Sequence, residues 1–437
     1  MSLNSTPSAE RVHIGIFGRR NAGKSSLLNA LTGQSMAIVS DVKGTTTDPV
    51  SKAMELLPLG PVVLIDTPGI DDEGELGALR VKKSFQVLNK TDVAVLVIDA
   101  GTGLTPQDEA LLERIRDKGI PCLAAVNQSD LAGKERTGEC LRRVREKMEE
   151  LGLAIRDSRE EGDNGGDGAG QVPGNPAPGR AVLDVSAATG EHIHEMKELL
   201  ARMVPEENQG RRLVGDLLEK GDFVLLVVPI DKAAPKGRLI LPQQQTIRDI
   251  LEAGAAAIVV RDTELSETLS RLSGKIRLVI TDSQAFGRVG KLVPEEIPLT
   301  SFSILFARYK GELEALLAGI RAVETLKDGD TVLISEGCTH HRQCNDIGTV
   351  KIPGWLTEYT GKKLRFRFTS GGEFPEDLSG FALIVHCGGC TLNAREMRYR
   401  IACAGDAGVP ITNYGMLIAH TKGLLERSVR PVSGSQL

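Results

Sequence analysis

Apolar residues along this chain fall into short unbroken runs, separated by stretches in which apolar positions recur every three or four residues. The first set of runs is VHIGIF at 12–17, Val62–Ile65, Leu123–Val126 and Val182–Val185, each the length of a buried strand. The segment SSLLNALTG after the first run has helical spacing and stops at Gly33. A second set, Phe223–Ile230, Ala256–Val260 and Ile276–Ile280, alternates with helix-like Gln243–Ala253 and Thr263–Leu272. A third region opens with helix-like Ser303–Leu326. It continues through strand-like Thr331–Ile334, Leu364–Phe368, Phe381–Val385 and Pro410–Asn413. Strands alternating with helices predict an α/β fold, with a parallel sheet where the runs are fully apolar. No internal repeat of fixed period is visible.

The pattern divides the chain into three domains, 1–204, 213–299 and 300–437. Within the first, residues 162–180 are rich in Gly and Pro and nearly free of apolar side chains. Such a segment buries too little to offset its ordering entropy and is expected to be a flexible surface insertion. The polar stretch 205–212 is the expected linker. The 437 residues are 41% hydrophobic and 25% charged, which excludes a wholly disordered chain. Aromatics are only 3%, so Leu, Val, Ile and Ala must fill the cores. No apolar run approaches the length of a membrane span. The net charge of −5 does not suggest a nucleic-acid binder. The start of the chain lacks the basic, apolar and cleavage regions of an export signal. Seven Cys in this length are too sparse for a disulfide scaffold, so reduced thiols in a cytoplasm are expected, and metal binding is open to them.

Chemistry enters first at Gly18-Arg19-Arg20-Asn21-Ala22-Gly23-Lys24-Ser25, which fits GxxxxGK[ST] between a predicted strand and a predicted helix. The glycines let backbone N–H groups turn toward phosphate oxygens, and the helix N-terminus adds partial positive charge. Lys24 is expected on the β/γ-phosphates and the Ser25 hydroxyl on Mg²⁺, with Ser26 beside it in the nucleotide site. Val62–Ile65 leads into Asp66-Thr67-Pro68-Gly69, where Asp66 is placed to hold Mg²⁺ through water and the Gly69 amide to sense the γ-phosphate. Lys24, Asp66 and Gly69 are thus the expected catalytic group. The polar loop 44–48 offers Thr46 as a second hydroxyl for Mg²⁺. In Asn127-Gln128-Ser129-Asp130, Asp130 is expected to accept from both guanine N–H donors, which adenine does not offer. The backbone at Ser186-Ala187 is expected at guanine O6.

These five motifs, in order and each after a strand, resemble the TrmE/Era branch of small GTPases over roughly 11–204. The resemblance implies a P-loop GTPase domain that converts GTP to GDP and phosphate slowly. It also implies a role for K⁺, since Asn21 matches the loop residue that helps bind the cation in K⁺-activated members. Ile70 stands where Ras-like enzymes carry a water-orienting Gln. Gln128 replaces the usual Lys, so a weaker hold on the nucleotide is expected.

The second constellation is Cys338-Thr339-His340 with His386-Cys387-Gly388-Gly389-Cys390. Cys338 follows one predicted strand and Cys387 ends another. If the two run parallel, their carboxyl ends meet at one crevice. A predicted helix over Thr391–Tyr399 puts Cys390 near a helix start, where thiolates are expected to be favoured. Gly388 and Gly389 let backbone curl around a bulky inorganic core. Three Cys and one His suit tetrahedral zinc, and three Cys suit an iron–sulfur cube with a replaceable fourth ligand. Spacing does not choose between them. Buried thiols without metal and a thioredoxin-like pair are the blander readings, and the second leaves Cys338 unexplained.

This cysteine pattern downstream of a TrmE/Era-type GTPase resembles the FeFe-hydrogenase maturation GTPases, the HydF family, over nearly the whole chain. The resemblance implies a GTPase domain, a small α/β dimerisation domain and an iron–sulfur domain. It implies a 4Fe-4S cluster on Cys338, Cys387 and Cys390, with His340 or His386 as fourth ligand or the position open. It also implies a GTP-hydrolysing scaffold that receives a di-iron precursor from two radical-SAM maturases and delivers it to apo-hydrogenase. A homodimer is expected, because a three- or four-stranded middle sheet leaves edges to cover. No nucleic-acid or membrane partner is expected. The alternatives are a ribosome- or tRNA-associated GTPase with a structural zinc module, and a binding protein that no longer hydrolyses GTP. Cys122 and Cys140 are assigned to packing or surface, and Cys344, near the cluster loop, and Cys403, in a helix-like run, are not counted among the ligands. Packing or surface also accounts for His13, His192, His194 and His341, and the segment Asp71-Asp72-Glu73 is read as solvated.

Overall fold

The computed structural model describes residues 7–33, 49–71, 74–152, 155–156, 180–204, 211–229, 239–272, 274–310, 312–338 and 346–433. The chain forms two compact units, Met1–Gly210 and Arg211–Leu437.

The first unit is built on a seven-stranded sheet. Its strands are β1 (Val12–Gly18), β2 (Val50–Leu56), β3 (Gly60–Asp66), β4 (Val93–Asp99), β5 (Cys122–Asn127), β6 (Ile155–Arg156) and β7 (Arg180–Asp184). The order is β2-β3-β1-β4-β5-β7-β6, parallel throughout except for the antiparallel β2. Successive residues of the central strands serve opposite faces, as a pleated strand requires. Ile14, Ile16, Val95 and Val97 join one buried cluster, while Phe17, Leu96 and Ile98 join another. That two-sided burial is why these strands read as unbroken apolar runs. Local signals set the helix ends. Thr105 and Asp108 form a capping box ahead of Pro106–Asp117. Cys140, read from sequence as a packed or a surface thiol, is buried in this core, and burial pushes its thiol up to about 11.

The second unit contains two four-stranded parallel sheets sharing one contiguous core. The first has strands β8 (Phe223–Val227), β9 (Ala256–Val260), β10 (Ile276–Thr281) and β11 (Leu299–Ser301), in the order β11-β10-β8-β9. The second has β12 (Thr331–Glu336), β13 (Arg365–Ser370), β14 (Leu383–His386) and β15 (Ile411–Asn413), in the order β13-β12-β14-β15. The predicted helix 303–326 is two helices, Phe302–Tyr309 and Leu313–Ile320, followed by a 3₁₀ segment. The expected division between 299 and 300 falls inside β11.

The two sheets follow one plan, an internal repeat that the sequence alone did not show. Each first strand is preceded by a Gly-Asp turn in which the Asp carboxylate, Asp222 or Asp330, accepts a backbone N–H three residues earlier. Ala256 N–H donates to Asp222 O and Arg365 N–H to Asp330 O. Val279 N–H donates to Pro298 O, and Ile384 N–H to Pro410 O. Both fourth strands run into a helix capped by the next polar side chain, Ser301 or Asn413. Thr300 and Thr412 are buried at matching places with the same hydroxyl unpartnered. The strand registers therefore set Val227 against Ser335, Thr281 against His386 and Asp282 against Cys387.

Candidate functional site

The phosphate loop lies between β1 and the helix Lys24–Thr32. Gly18 has φ +142°, and a Cβ there would sit 2.3 Å from the Val97 carbonyl oxygen. Gly23 has φ +87°, and a Cβ there would meet the Asn127 amide at 2.2 Å. Both positions therefore require glycine. The Lys24 ammonium donates to Gly18 O at 2.9 Å and Arg19 O at 2.7 Å, holding it over the loop. Ser25 Oγ donates to Asp66 Oδ2 at 2.8 Å, so the two expected Mg²⁺ residues are adjacent. Asp66 Oδ1 is buried without a hydrogen-bond partner. Burial pushes its carboxyl above the usual range, against the pull of Ser25 and Lys24. A buried carboxylate oxygen left open beside a hydroxyl fits a hard divalent cation. Ser26 follows Ser25 in the same helical turn. Thr46 lies outside the described residues.

The residues expected on the guanine side lie together. Asn127 is buried, donates to Ala22 O at 3.0 Å and accepts the Ala187 N–H at 3.1 Å, joining three motifs through one amide. Ser186 Oγ donates to Asp130 Oδ1 at 2.8 Å. Gln128, the departure from Lys, sits at φ +64° and donates from Nε2 to Asn21 O at 3.0 Å. It thus ties the base-reading loop to the phosphate loop. Asn21 is itself at φ +63°. Asp71, read from sequence as solvated, lies in an exposed contact where it accepts the Arg20 N–H at 2.7 Å, and a Cβ on Gly69 would meet both partners at about 3 Å. Asp72 and Glu73 lie outside the described residues.

In the second unit β12 and β14 run parallel, and their carboxyl ends bring Cys338 and Cys387 to the same end of the sheet. Gly337 N–H and Gly389 N–H point at Cys387 Sγ, at 3.1 and 3.4 Å. Lys310, buried just after the helix Phe302–Tyr309, donates to Gly389 O and Leu392 O and so braces the Cys-Gly-Gly-Cys loop. Sequence gave no signal for Lys310. The expected thiolates are not favoured here. Burial pushes both the Cys387 and Cys390 thiols up, outweighing the N–H donors and the Lys310 charge. The helix starts at Ala394, capped by Asn393, rather than near 391. Among the described residues no three His, Cys, Asp or Glu side chains are gathered closely enough to hold a metal ion. His340, His341 and Cys344 lie outside them.

His386 does not suit the role of fourth ligand in this conformation. It is fully buried, its Nδ1 lies 2.8 Å from Cys387 O and its Nε2 lies 3.0 Å from Arg400 Nη1. Both ring nitrogens are therefore engaged. Burial, with the Arg400 charge beside it, pushes its pKa down to about 3. Of the other residues set aside, Cys122 and His13 are packed as expected and Cys403 is partly exposed. His192 is less exposed than predicted, since its Nδ1 reaches Asp184 O at 2.9 Å.

Comparison with known proteins follows this division. Residues 13–128 match a family model described as 50S ribosome-binding GTPase. Residues 213–311 match the hydrogen maturase F dimerization domain, and 314–431 match the hydrogen maturase F tetramerization domain. GTPase Der of Synechococcus sp. (strain WH7803) is 39% identical over 132 residues, 29% of either chain. GTPase Der of Prochlorococcus marinus (strain MIT 9313) is 42% identical over 130 residues, 29% of this chain and 28% of that one. The chain thus spans less than a third of the length of these curated relatives, and the match lies in the GTPase domain. Among solved structures, Aquifex aeolicus Era bound to GDP·AlF4⁻ is 20% identical, covering 60% of this chain and 98% of that one, with a TM-score of 0.35. No helix among the described residues is long and apolar enough to cross a membrane.

Proposed function

The chain belongs to the hydrogen maturase F family, with a GTPase domain ahead of that family's two domains, and on this premise we propose that it is a GTP-hydrolysing scaffold for FeFe-hydrogenase maturation. The observation that carries the reading is the pairing, in one chain, of a complete phosphate loop with a cysteine crevice inside a hydrogen maturase F domain. Lys24 neutralises phosphate, Ser25 and Asp66 hold Mg²⁺, and Asn127 and Asp130 select guanine. The Gly69 amide reads the γ-phosphate and, with Ile70 in place of a water-orienting side chain, hydrolysis is slow. Asn21 assists K⁺, which supplies positive charge at the phosphates. Phosphate release faster in K⁺ than in Na⁺, lost in Asn21→Ala, is the expected outcome; equal rates in the two salts remove the K⁺ assignment.

Cys338, Cys387 and Cys390, which are not closely gathered in this structure, are drawn together on a 4Fe-4S cluster, with His340 or an open position completing it. The donor set supports this: three soft sulfurs, with backbone N–H groups aimed at one of them. The cargo is a di-iron unit supplied by radical-SAM maturases and passed to apo-hydrogenase. The protein works in a cytoplasm as a dimer or higher assembly. The test is activation of apo-hydrogenase by this protein co-expressed with the two maturases. Activation is expected, and it is lost in Cys387→Ser; activation undiminished in that variant contradicts the reading.

A further inference from the structure

Arg400 is fully buried, and its guanidinium is bonded on every side. Nε donates to Glu396 Oε1 at 2.9 Å. Nη1 donates to Ser335 Oγ at 3.3 Å and to His386 Nε2 at 3.0 Å, and Nη2 donates to Gly371 O at 2.8 Å. The Phe374 ring lies 5.3 Å away. The acceptors Ser335, His386 and Gly371 come from the ends of three neighbouring strands, β12, β14 and the turn after β13.

Each of those three is one step from a cysteine. Ser335 O accepts the Cys387 N–H at 2.9 Å. Gly371 N–H donates to Cys338 O at 3.3 Å. Because Nε2 of His386 accepts from Arg400, its proton sits on Nδ1, which then donates to Cys387 O. One guanidinium therefore fixes the backbone around Cys338 and Cys387 together.

The repeat supplies an internal control. The preceding sheet builds the same four strands in the same order with Val227 and Thr281 where Ser335 and His386 stand. The fold itself does not need these two acceptors. A buried charge is unfavourable unless fully bonded, and this one is bonded to the strand ends that carry the cysteines, which points to a role there.

We propose that Arg400 is a positioning residue that presents Cys338 and Cys387 to the iron–sulfur cluster by clamping the three strand ends and fixing the His386 tautomer. The proposal rests on the reading that these cysteines hold the cluster. The test uses the full chain as wild type, Arg400→Lys, Arg400→Met and Ser335→Ala. Each is reconstituted anaerobically with ferrous ion and sulfide, then followed by iron retention against a chelator and by the EPR spectrum of the reduced cluster. Circular dichroism and the melting temperature are read alongside. Removing such a support is expected to weaken iron retention by about 10-fold or more in both Arg400 variants. Lysine keeps the charge but not the fork, so Arg400→Lys does not rescue. The g-values are also expected to shift. Retention and g-values equal to wild type in folded Arg400 variants overturn the proposal, whatever the melting temperature does. If those variants do not fold, Ser335→Ala decides by the same two readouts, with a smaller change in the same direction expected. If wild type takes up no cluster, the cluster reading fails by itself. Alkylation of Cys338 and Cys387 in the metal-free protein then tests the clamp: faster modification in Arg400→Met or, if it does not fold, in Ser335→Ala supports it, and an unchanged rate overturns it.

Discussion

The nucleotide site turns on single atoms. Gly18→Ala forces a side chain against the Val97 carbonyl at an unfavourable φ and is expected to cost about 1–3 kcal/mol, read as a lowered urea midpoint. Gln128→Ala removes one amide donor from the Asn21 carbonyl. An exposed neutral hydrogen bond contributes about 0.5–1 kcal/mol, so nucleotide affinity should fall by about three-fold in a fluorescence titration. Buried His386 gives a signed pH effect. Its folded pKa of about 3 lies below the ordinary 6.5, so the unfolded chain binds the extra proton first. Stability is therefore expected to fall as pH drops from about 6.5 toward 3, measured by denaturant midpoints, and His386→Asn should flatten the slope. The residues legible in sequence, Lys24, Ser25, Asp66, Asn127 and Asp130, are those whose chemistry depends on local spacing after a strand. Arg400, Lys310 and Asp71 were not legible, because their partners lie 29, 79 and 51 residues away and only topology joins them.

Among the elements, most strands that read as unbroken apolar runs lie within a few residues of their expected places, because burial on both faces leaves few polar positions to blur them, though β4 was not singled out. β5, expected at Leu123–Val126, is observed at Cys122–Asn127 with every residue buried, and β9 lies at its expected Ala256–Val260 although it is only partly buried. The repeat escaped notice because its matching positions are few, such as Asp222 with Asp330 and Pro298 with Pro410, and lie at unequal spacings. β9 is also an edge of its sheet, and Val259 on it is 42% exposed. An apolar edge strand is a template for pairing with another chain. In a domain matched to a dimerization family, Val259→Lys is expected to weaken self-association, seen as a lower average mass by light scattering. An unchanged mass would show that β9 is not the contact.

For the whole molecule, domains matched to dimerization and tetramerization families predict a solution mass above the 46.8 kDa of one chain. GTP is expected to bias partner association through the loops around Gly69 and Asp71, so affinity for apo-hydrogenase should differ between GTP and GDP. Equal affinities would leave the GTPase uncoupled from delivery. Above all, the account requires that a GTPase and an iron–sulfur carrier are one protein. The most direct measurement is iron and acid-labile sulfide per chain after anaerobic reconstitution, with EPR of the reduced protein, in wild type and in Cys338→Ser, Cys387→Ser and Cys390→Ser. The account predicts a brown wild type with close to four iron and four sulfide per chain, as a 4Fe-4S cluster requires, and loss of the signal in each variant. A colourless protein carrying zinc, or a cluster that survives removal of the three sulfurs, would contradict it.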